Sequence, residues 1–153
     1  MAGLYFEEFH VGQCFLHAIR RTLTEMDNVL ISALSHNPAA LHLDAEYCRT
    51  QSEFGQRIIN STFTLALMVG ISVGDTTLGT TVANLGWDRV RFPKPLFHGD
   101  TVHVETEVLE LRDSKSRPDN GIVIFEHRCF NQHDELVGTC ERSALMLRRP
   151  KSA

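Results

Sequence analysis

The 153-residue chain is long enough for one domain with a substantial core and too short for two domains of ordinary size. Apolar residues make up 42% of it and charged residues 22%, which excludes a mainly disordered protein. The 15 basic and 19 acidic side chains leave a net charge of −4, which argues against nucleic acid as a partner held by bulk charge.

The N-terminal segment and the cysteines favour a cytoplasmic protein. Residues 1–12 are acidic and have neither the basic start nor the apolar centre of a secretory signal, and no apolar run approaches the roughly 20 residues of a membrane span. The cysteines are widely separated, as expected of free thiols, and lack the close Cys or His pairs of a zinc site. They are Cys14, Cys48, Cys129 and Cys140. We therefore expect no metal and no membrane association.

The N-terminal third is predicted to contain a strand and two helices. Residues 13–22 alternate loosely between polar and apolar side chains, as in a first strand. Thr24 and Asp27 match the start of a helix, which Pro38 ends, and Asp44 is placed to cap a second, short helix. Apolar residues recur at helical spacing in the first helix at Met26, Val29, Leu30, Ala33 and Leu34.

Residues 61–74 are predicted to form a central helix. The segment contains no charged side chain, and its apolar residues cover nearly the whole helical wheel, so we expect it to be buried on nearly every side. Gly70 costs roughly 1 kcal/mol relative to Ala inside a helix, and we interpret it as allowing close packing against a sheet.

The C-terminal half is predicted to form four antiparallel strands, at residues 80–92, 101–111, 122–131 and 136–148. The sequence therefore predicts an α+β fold, in which an antiparallel sheet of about five strands wraps around the apolar helix in a single domain. Such a sheet leaves part of the helix uncovered and its own edge strands unpaired. We therefore expect a homodimer or a higher homo-oligomer.

The segment SHNPAALHLDAEYC, at residues 35–48, resembles the MaoC-like (R)-specific enoyl-CoA hydratases, a family with the hot-dog fold. Residues 41–47 match the second half of the motif S-G-D-x-N-P-(L/I)-H-x-D and the short helix that follows it. The entry of the apolar helix, the stretch VRFPKPLFHGDTV at 90–102 and the last two strands also match, so the resemblance covers residues 6–147. The order and spacing of these pieces around one helix are specific to the family.

One position departs from the family motif. In the ungapped register the family's catalytic Asp falls on Asn37, and a two-residue shift places Ser35 there instead, so the Asp–His pair is incomplete in both registers. The stretches NPAALHLD and GDTTLGTTVANLG resemble a subgroup similar to mesaconyl-CoA and itaconyl-CoA hydratases. This resemblance implies hydration of a branched C5 dicarboxylic acyl-CoA, with coenzyme A as part of the substrate and no separate cofactor.

The chemistry of hydration suggests a role for each residue of the motif. Negative charge develops on the thioester oxygen, so we assign the backbone N–H of Ser61, at the helix N-terminus, as its donor, with Asn60 shaping the turn. His42 is the candidate acid and base. Asn37 cannot act as a base but can hold the water through its carboxamide oxygen. Asp44 either orients His42, replaces the missing carboxylate or only caps its helix.

Basic residues are candidates for binding the substrate. Arg91, Lys94, Lys115 and Arg117 either meet the phosphates of coenzyme A or belong to a solvated charged surface. Arg57 precedes the helix entry, and we hypothesise that it anchors a substrate carboxylate.

Two other functions stay open at the level of sequence. A hot-dog thioesterase often uses an Asp or Glu in the central helix, and residues 61–74 contain none. A non-catalytic acyl-CoA-binding domain is compatible with the missing Asp.

Overall fold

A computed structural model describes residues 3–150 and places one long helix against an antiparallel sheet. The four α-helices are α1 (Glu25–Leu34), α2 (Ala40–Leu43), α3 (Ala45–Gln51) and α4 (Ser61–Thr76). The strands are β1 (Cys14–Leu16), β2 (Arg21–Thr22), β3 (Thr81–Arg91), β4 (Thr101–Asp113), β5 (Asn120–Phe130) and β6 (Leu136–Leu147). A 3-10 turn at Phe6–Glu8 precedes them. The predicted α+β class, the central helix and the four long strands are confirmed, each within two residues of its predicted bounds.

The strands pair in the order β1-β4-β5-β6-β3, and β2 also pairs with β4. The predicted first strand at 13–22 is therefore divided into β1 and β2, which both pair with β4. The largely exposed residues between them do not continue the strand pairing. Within residues 3–150, β3 pairs only with β6 and forms one edge of the sheet. Of the helices described over residues 3–150, none has the length and apolarity that crossing a bilayer requires.

The core lies between α4 and the sheet. Met68 and Ile71 of α4 are buried against apolar side chains of β4, β5 and β6. The helix and the sheet are packed closely at Gly138 in β6, where an added Cβ would lie 3.2 Å from Thr64 and 3.3 Å from Met68. Gly70 faces away from the sheet and has no such neighbour within 4 Å, so its predicted packing role is wrong.

One face of α4 is not covered by the sheet. Ala66, Gly70 and Gly74, each four residues apart, are exposed along it. As expected, one sheet covers only one side of this helix, so burial on nearly every side would need a second copy of the chain. The uncovered face carries small side chains, which permit another chain to approach closely.

Helix α1 has its polar side inward. The predicted start is confirmed, since Thr24 Oγ1 accepts the Asp27 N–H at 3.2 Å and Asp27 Oδ2 accepts the Thr24 N–H at 2.8 Å. Met26, on the apolar face, is 76% exposed, whereas Asn28 and Ser32 are 0% and 1% exposed. The helix therefore contributes polar groups, and not its apolar stripe, to the interior of the chain.

A chain of hydrogen bonds crosses the core between its two apolar clusters. His17 Nδ1 lies 2.7 Å from Asp75 Oδ2, and Thr106 Oγ1 lies 2.8 Å from both His17 Nε2 and His127 Nδ1. A carboxylate oxygen accepts, so the Nδ1–H of His17 donates to Asp75. Burial, and then the nearby charges of Arg142 and His17, lower the pKa of His127 to about 3.

Candidate active site

His42 is carried by α2, a single turn that the sequence did not predict. Its Nδ1 lies 3.0 Å from the carbonyl oxygen of Ile58, on the segment that leads into α4. Because a carbonyl only accepts hydrogen bonds, Nδ1 carries the proton and Nε2 carries the lone pair. His42 is thereby fixed in the tautomer that can accept a proton at Nε2.

Neither of the two polar residues assigned beside His42 bonds its ring. Asp44 Oδ1 accepts the Tyr47 N–H at 2.9 Å, which is the capping role among the three considered. Asn37 Oδ1 accepts the Ala39 N–H at 3.0 Å and closes the turn after α1. That oxygen keeps a second lone pair, which is the acceptor that holding a water requires.

The N-terminus of α4 leaves one backbone donor uncommitted. Asn60 Oδ1 caps Thr62 N–H at 3.1 Å, and the Asn60 carbonyl accepts the Phe63 N–H at 2.9 Å. Asn60 thus shapes the turn as expected. The N–H of Ser61 is the first of the helix and has no intrahelical acceptor, so it points out of the helix at the positive end of its dipole.

A cleft of about 350 Å³ opens at this end of α4. Ile58 and Ser61 line it together with apolar side chains and Lys94; His42 does not line it in the single chain but bonds the carbonyl of Ile58, which does. The other lining residues include Phe54, Ile59, Thr64, Phe92, Leu96 and Val137. A mostly apolar cleft with a few convergent polar groups is typical of a small-molecule site.

Sequence reasoning missed Asn28 and His98. Asn28 Nδ2 lies 3.1 Å from the His42 carbonyl, 3.0 Å from the Ile58 carbonyl and 3.0 Å from His98 Nε2. Its Oδ1 accepts the Asn60 N–H at 2.9 Å. The signal in the sequence was a polar residue opposite the apolar stripe of α1, and such a residue is ordinarily assigned to solvent.

Arg57 lies beside the same residues. Its Nη2 donates to Glu25 Oε1 at 2.6 Å, and its guanidinium is largely shielded from solvent. Burial, and then the charge of Arg57, lower the pKa of His98, whereas Glu25 opposes this change. The structure therefore brings Arg57 and His98 together next to the His42 segment. In the single chain the Arg57 guanidinium is already paired with the carboxylate of Glu25.

The four remaining basic residues divide between the two ends of the sheet. Arg91 ends β3 next to the cleft, and Lys94 lines the cleft while its Nζ contacts Glu135 Oε1 at 2.5 Å. Lys115 and Arg117 lie on the exposed loop between β4 and β5, at the opposite end of the sheet. Within one chain these two are not brought to His42, because the full length of the strands separates them. Residues 3–150 contain no group of three His, Cys, Asp or Glu side chains arranged to hold a metal.

Comparisons with known proteins identify the family of this chain. Residues 8–126 match the model of the MaoC like domain family. The chain is 31% identical to mesaconyl-CoA hydratase of Cereibacter sphaeroides over 99% of its own length and 43% of the relative's. It is 30% identical to beta-methylmalyl-CoA dehydratase of Chloroflexus aurantiacus, over 99% and 42% of the two chains.

A solved structure extends the comparison to the fold. A conserved hypothetical protein of Mycobacterium tuberculosis, which has a double hot-dog fold, superposes with a TM-score of 0.87 at 25% identity, over 99% of this chain and 46% of that one. The predicted hot-dog fold is thus confirmed. The chain spans less than half the length of the curated relatives it matches. With the family model covering most of the chain, this protein belongs to the MaoC-like domain family.

Proposed function

We propose that this protein hydrates the C=C bond of a 2-enoyl-CoA thioester, or catalyses the reverse dehydration. The observation that carries the proposal is the hydrogen bond from His42 Nδ1 to the Ile58 carbonyl, which leaves Nε2 as a free base near the start of α4. The first N–H of that helix, on Ser61, is the donor for the thioester oxygen. The match to hydratases and dehydratases of acyl-CoA supports the same reaction.

His42, Ser61 and Asn37 divide the steps of the proposed reaction among them. His42 Nε2 removes a proton from water, whose oxygen forms the new bond to the β-carbon. The electron pair of the C=C bond moves towards the thioester oxygen, where the Ser61 N–H stabilises the negative charge. The protonated His42 then returns a proton to the α-carbon, so that one water has been added and the imidazole is neutral again. Asn37 holds the water through the free lone pair of its carboxamide oxygen.

We infer a branched C5 dicarboxylic acyl group, such as that of mesaconyl-CoA or itaconyl-CoA, as the substrate. The inference is supported by the similarity to mesaconyl-CoA hydratase and by Arg57, a guanidinium beside the His42 segment. Arg91 and Lys94, at the cleft end of the sheet, are the proposed contacts for the phosphates of coenzyme A. Lys115 and Arg117 are too remote in one chain and would have to come from a second copy.

Mixing the purified protein with mesaconyl-, itaconyl- and crotonyl-CoA tests the reaction class. Hydration lowers the absorbance of the enoyl thioester without releasing a free thiol, and this is the expected result with mesaconyl-CoA or itaconyl-CoA. Release of free thiol would instead identify a thioesterase. Binding of acyl-CoA with neither change would identify a non-catalytic domain, and both of these outcomes contradict the proposal.

Replacing Arg57 with Ala is expected to raise KM for a dicarboxylic acyl-CoA by about tenfold or more, because one charge-assisted hydrogen bond contributes about 1.5–3 kcal/mol. For crotonyl-CoA, which has no second carboxylate, KM should stay within about twofold on the same reasoning. Glu25→Gln serves as the matched control, because it removes the competing carboxylate and keeps the guanidinium. An equal rise of KM for both substrates in Arg57→Ala would remove the anchoring role.

We also infer that two copies of the chain associate through β3 and the small-residue face of α4. The inference is supported by the unpaired edge of β3, which exposes Val82, Leu85 and Trp87, and by the exposed Ala66 and Gly70 on α4. The double hot-dog relative, of which this chain spans 46%, offers an arrangement of two such units in one protein.

Replacing Leu85 with Lys is expected to convert the dimer to a monomer in sedimentation velocity, since it places a charge in the proposed interface. Leu16→Lys is the control, because Leu16 is exposed on β1 at the opposite edge of the sheet. A wild-type protein that is monomeric at micromolar concentration, or a Leu85→Lys variant that remains dimeric, would contradict this interface.

A further inference from the structure

We propose that Asn28 is a positioning residue that sets the His42 imidazole relative to the N-terminal N–H groups of α4. The inference deepens the proposed function and rests on it for the identity of the base and of the oxyanion donor. Asn28 touches neither the cleft nor the His42 ring. It acts through three backbone groups: the His42 carbonyl, the Ile58 carbonyl and the Asn60 N–H.

The orientation of the Asn28 carboxamide is fixed by its partners. The Asn60 N–H can only donate, so Oδ1 faces it at 2.9 Å. The two carbonyls can only accept, so the two N–H groups of Nδ2 face Ile58 and His42, at 3.0 Å and 3.1 Å. A flipped carboxamide would break all three bonds. The side chain is fully buried, so water cannot replace a lost bond.

These bonds connect the two halves of the proposed active site. The Ile58 carbonyl that Asn28 holds is the acceptor of the His42 Nδ1–H, so Asn28 fixes the group that selects the His42 tautomer. Asn28 also holds the backbone of Asn60, the residue directly before the Ser61 donor. One side chain therefore sets the position of the base relative to the oxyanion donor, and a displacement of about 1 Å between such groups can cost about a hundredfold in rate.

The His98 contact gives the carboxamide a further constraint. His98 Nε2 lies 3.0 Å from Asn28 Nδ2, whose two hydrogens already point to carbonyls, so His98 can only share one of them as an acceptor. The charged groups facing His98 are Arg57, before α4, and Glu25, on α1. A carboxylate at position 28 would accept from a protonated His98 and repel both carbonyls, which makes Asn28→Asp an isosteric test of the donor role.

The experiment compares Asn28→Asp and Asn28→Ser with wild type in two measurements. Ring ¹⁵N chemical shifts, with His42 assigned from the spectrum of His42→Gln, report which nitrogen carries the proton. We expect Nδ1–H in wild type and a shift towards Nε2–H in both variants. We also expect kcat for hydration to fall by about a hundredfold with KM within about threefold, because positioning and not binding is lost.

Asn120→Ser is the matched control, because Asn120 is a buried Asn at the start of β5, where Nδ2 donates to the Met146 carbonyl at 3.2 Å. It should lower stability without altering the His42 tautomer or kcat. Asn28 variants that keep the Nδ1–H tautomer and a kcat within about threefold of wild type would overturn the inference. If wild type hydrates no enoyl-CoA, the proposed function fails, whereas the tautomer measurement still decides the role of Asn28.

Wild-type protein offers a test that does not depend on the folding of the variants. The two side-chain amide protons of Asn28 should exchange with solvent as slowly as buried backbone amides, because both are bonded to carbonyls. Rapid exchange of either proton would overturn the proposed arrangement.

Discussion

Replacing His42 with Gln is expected to lower kcat for hydration by about 10²- to 10⁴-fold, the range that a positioned acid–base group contributes. Glutamine can keep one donor for the Ile58 carbonyl, so the local fold should be retained, but it cannot take a proton from water at neutral pH. Because the same imidazole is proposed to return the proton to the α-carbon, both the hydration and the dehydration direction should be lost together. Steady-state rates with an active enoyl-CoA, measured in both directions, check this result.

His36→Gln is the control for this substitution. His36 lies in the same connection but is exposed and has a φ of 54°, in the turn that follows α1. Its variant should retain wild-type turnover. If His42→Gln retains full turnover while circular dichroism shows an intact fold, the proton transfer must be assigned to another group.

The second large effect concerns stability at acid pH. The pKa of His127 is about 3 in the folded protein, against 6.5 for an exposed histidine. Between pH 6.5 and pH 3 the imidazole of His127 is protonated in the unfolded state but neutral in the folded state. The free energy of unfolding therefore falls as the pH falls. The contribution of His127 to the free energy of unfolding is therefore fully present above about pH 6.5 and decreases as the pH falls towards 3. One pH unit within this window changes the free energy of unfolding by up to about 1.36 kcal/mol, so the loss between pH 7 and pH 4 is about 3 kcal/mol.

Urea denaturation at pH 7 and at pH 4 measures this difference. Glu25 and Glu135 have pKa values that cationic partners lower, so their protonation also destabilises the folded protein at acid pH. This part of the loss should be equal in wild type and variants. His127→Gln should therefore lose about 3 kcal/mol less than wild type over this range, whereas the exposed His10→Gln should behave as wild type. Equal losses in all three proteins would show that His127 does not resist protonation.

Local signals in the sequence were sufficient for most of the fold. The Thr24–Asp27 capping box, the Asp44 cap and the alternation of β4 and β5 each involve neighbours within four residues, so their consequences can be predicted without knowledge of the tertiary structure. The position of His42 next to the entry of α4 came from the family resemblance. Spacing along the chain does not show that the Ile58 carbonyl would accept its Nδ1–H.

The remaining features could not be predicted for a common physical reason. The pattern of apolar and polar residues along a helix does not show which part of the fold covers each of its faces. The apolar residues of α1 recur at helical spacing but are exposed in one chain, whereas Asn28 turns inward to bond buried backbone groups and Ser32 turns inward to accept from Asn60 Nδ2. Gly70 appeared to permit contact with the sheet, although it lies on the uncovered face of α4. The sequence likewise shows the charges of Lys115 and Arg117 but not that, within one chain, the length of the sheet separates them from His42.

The most direct measurement is a crystal structure with a saturated acyl-CoA that resembles the proposed substrate but cannot react. The account predicts the thioester oxygen within hydrogen-bond distance of the Ser61 N–H, and the β-carbon facing His42 Nε2 across space for one water. An acyl group bound away from the start of α4, or a His42 Nε2 that does not face the β-carbon in any subunit, would contradict it.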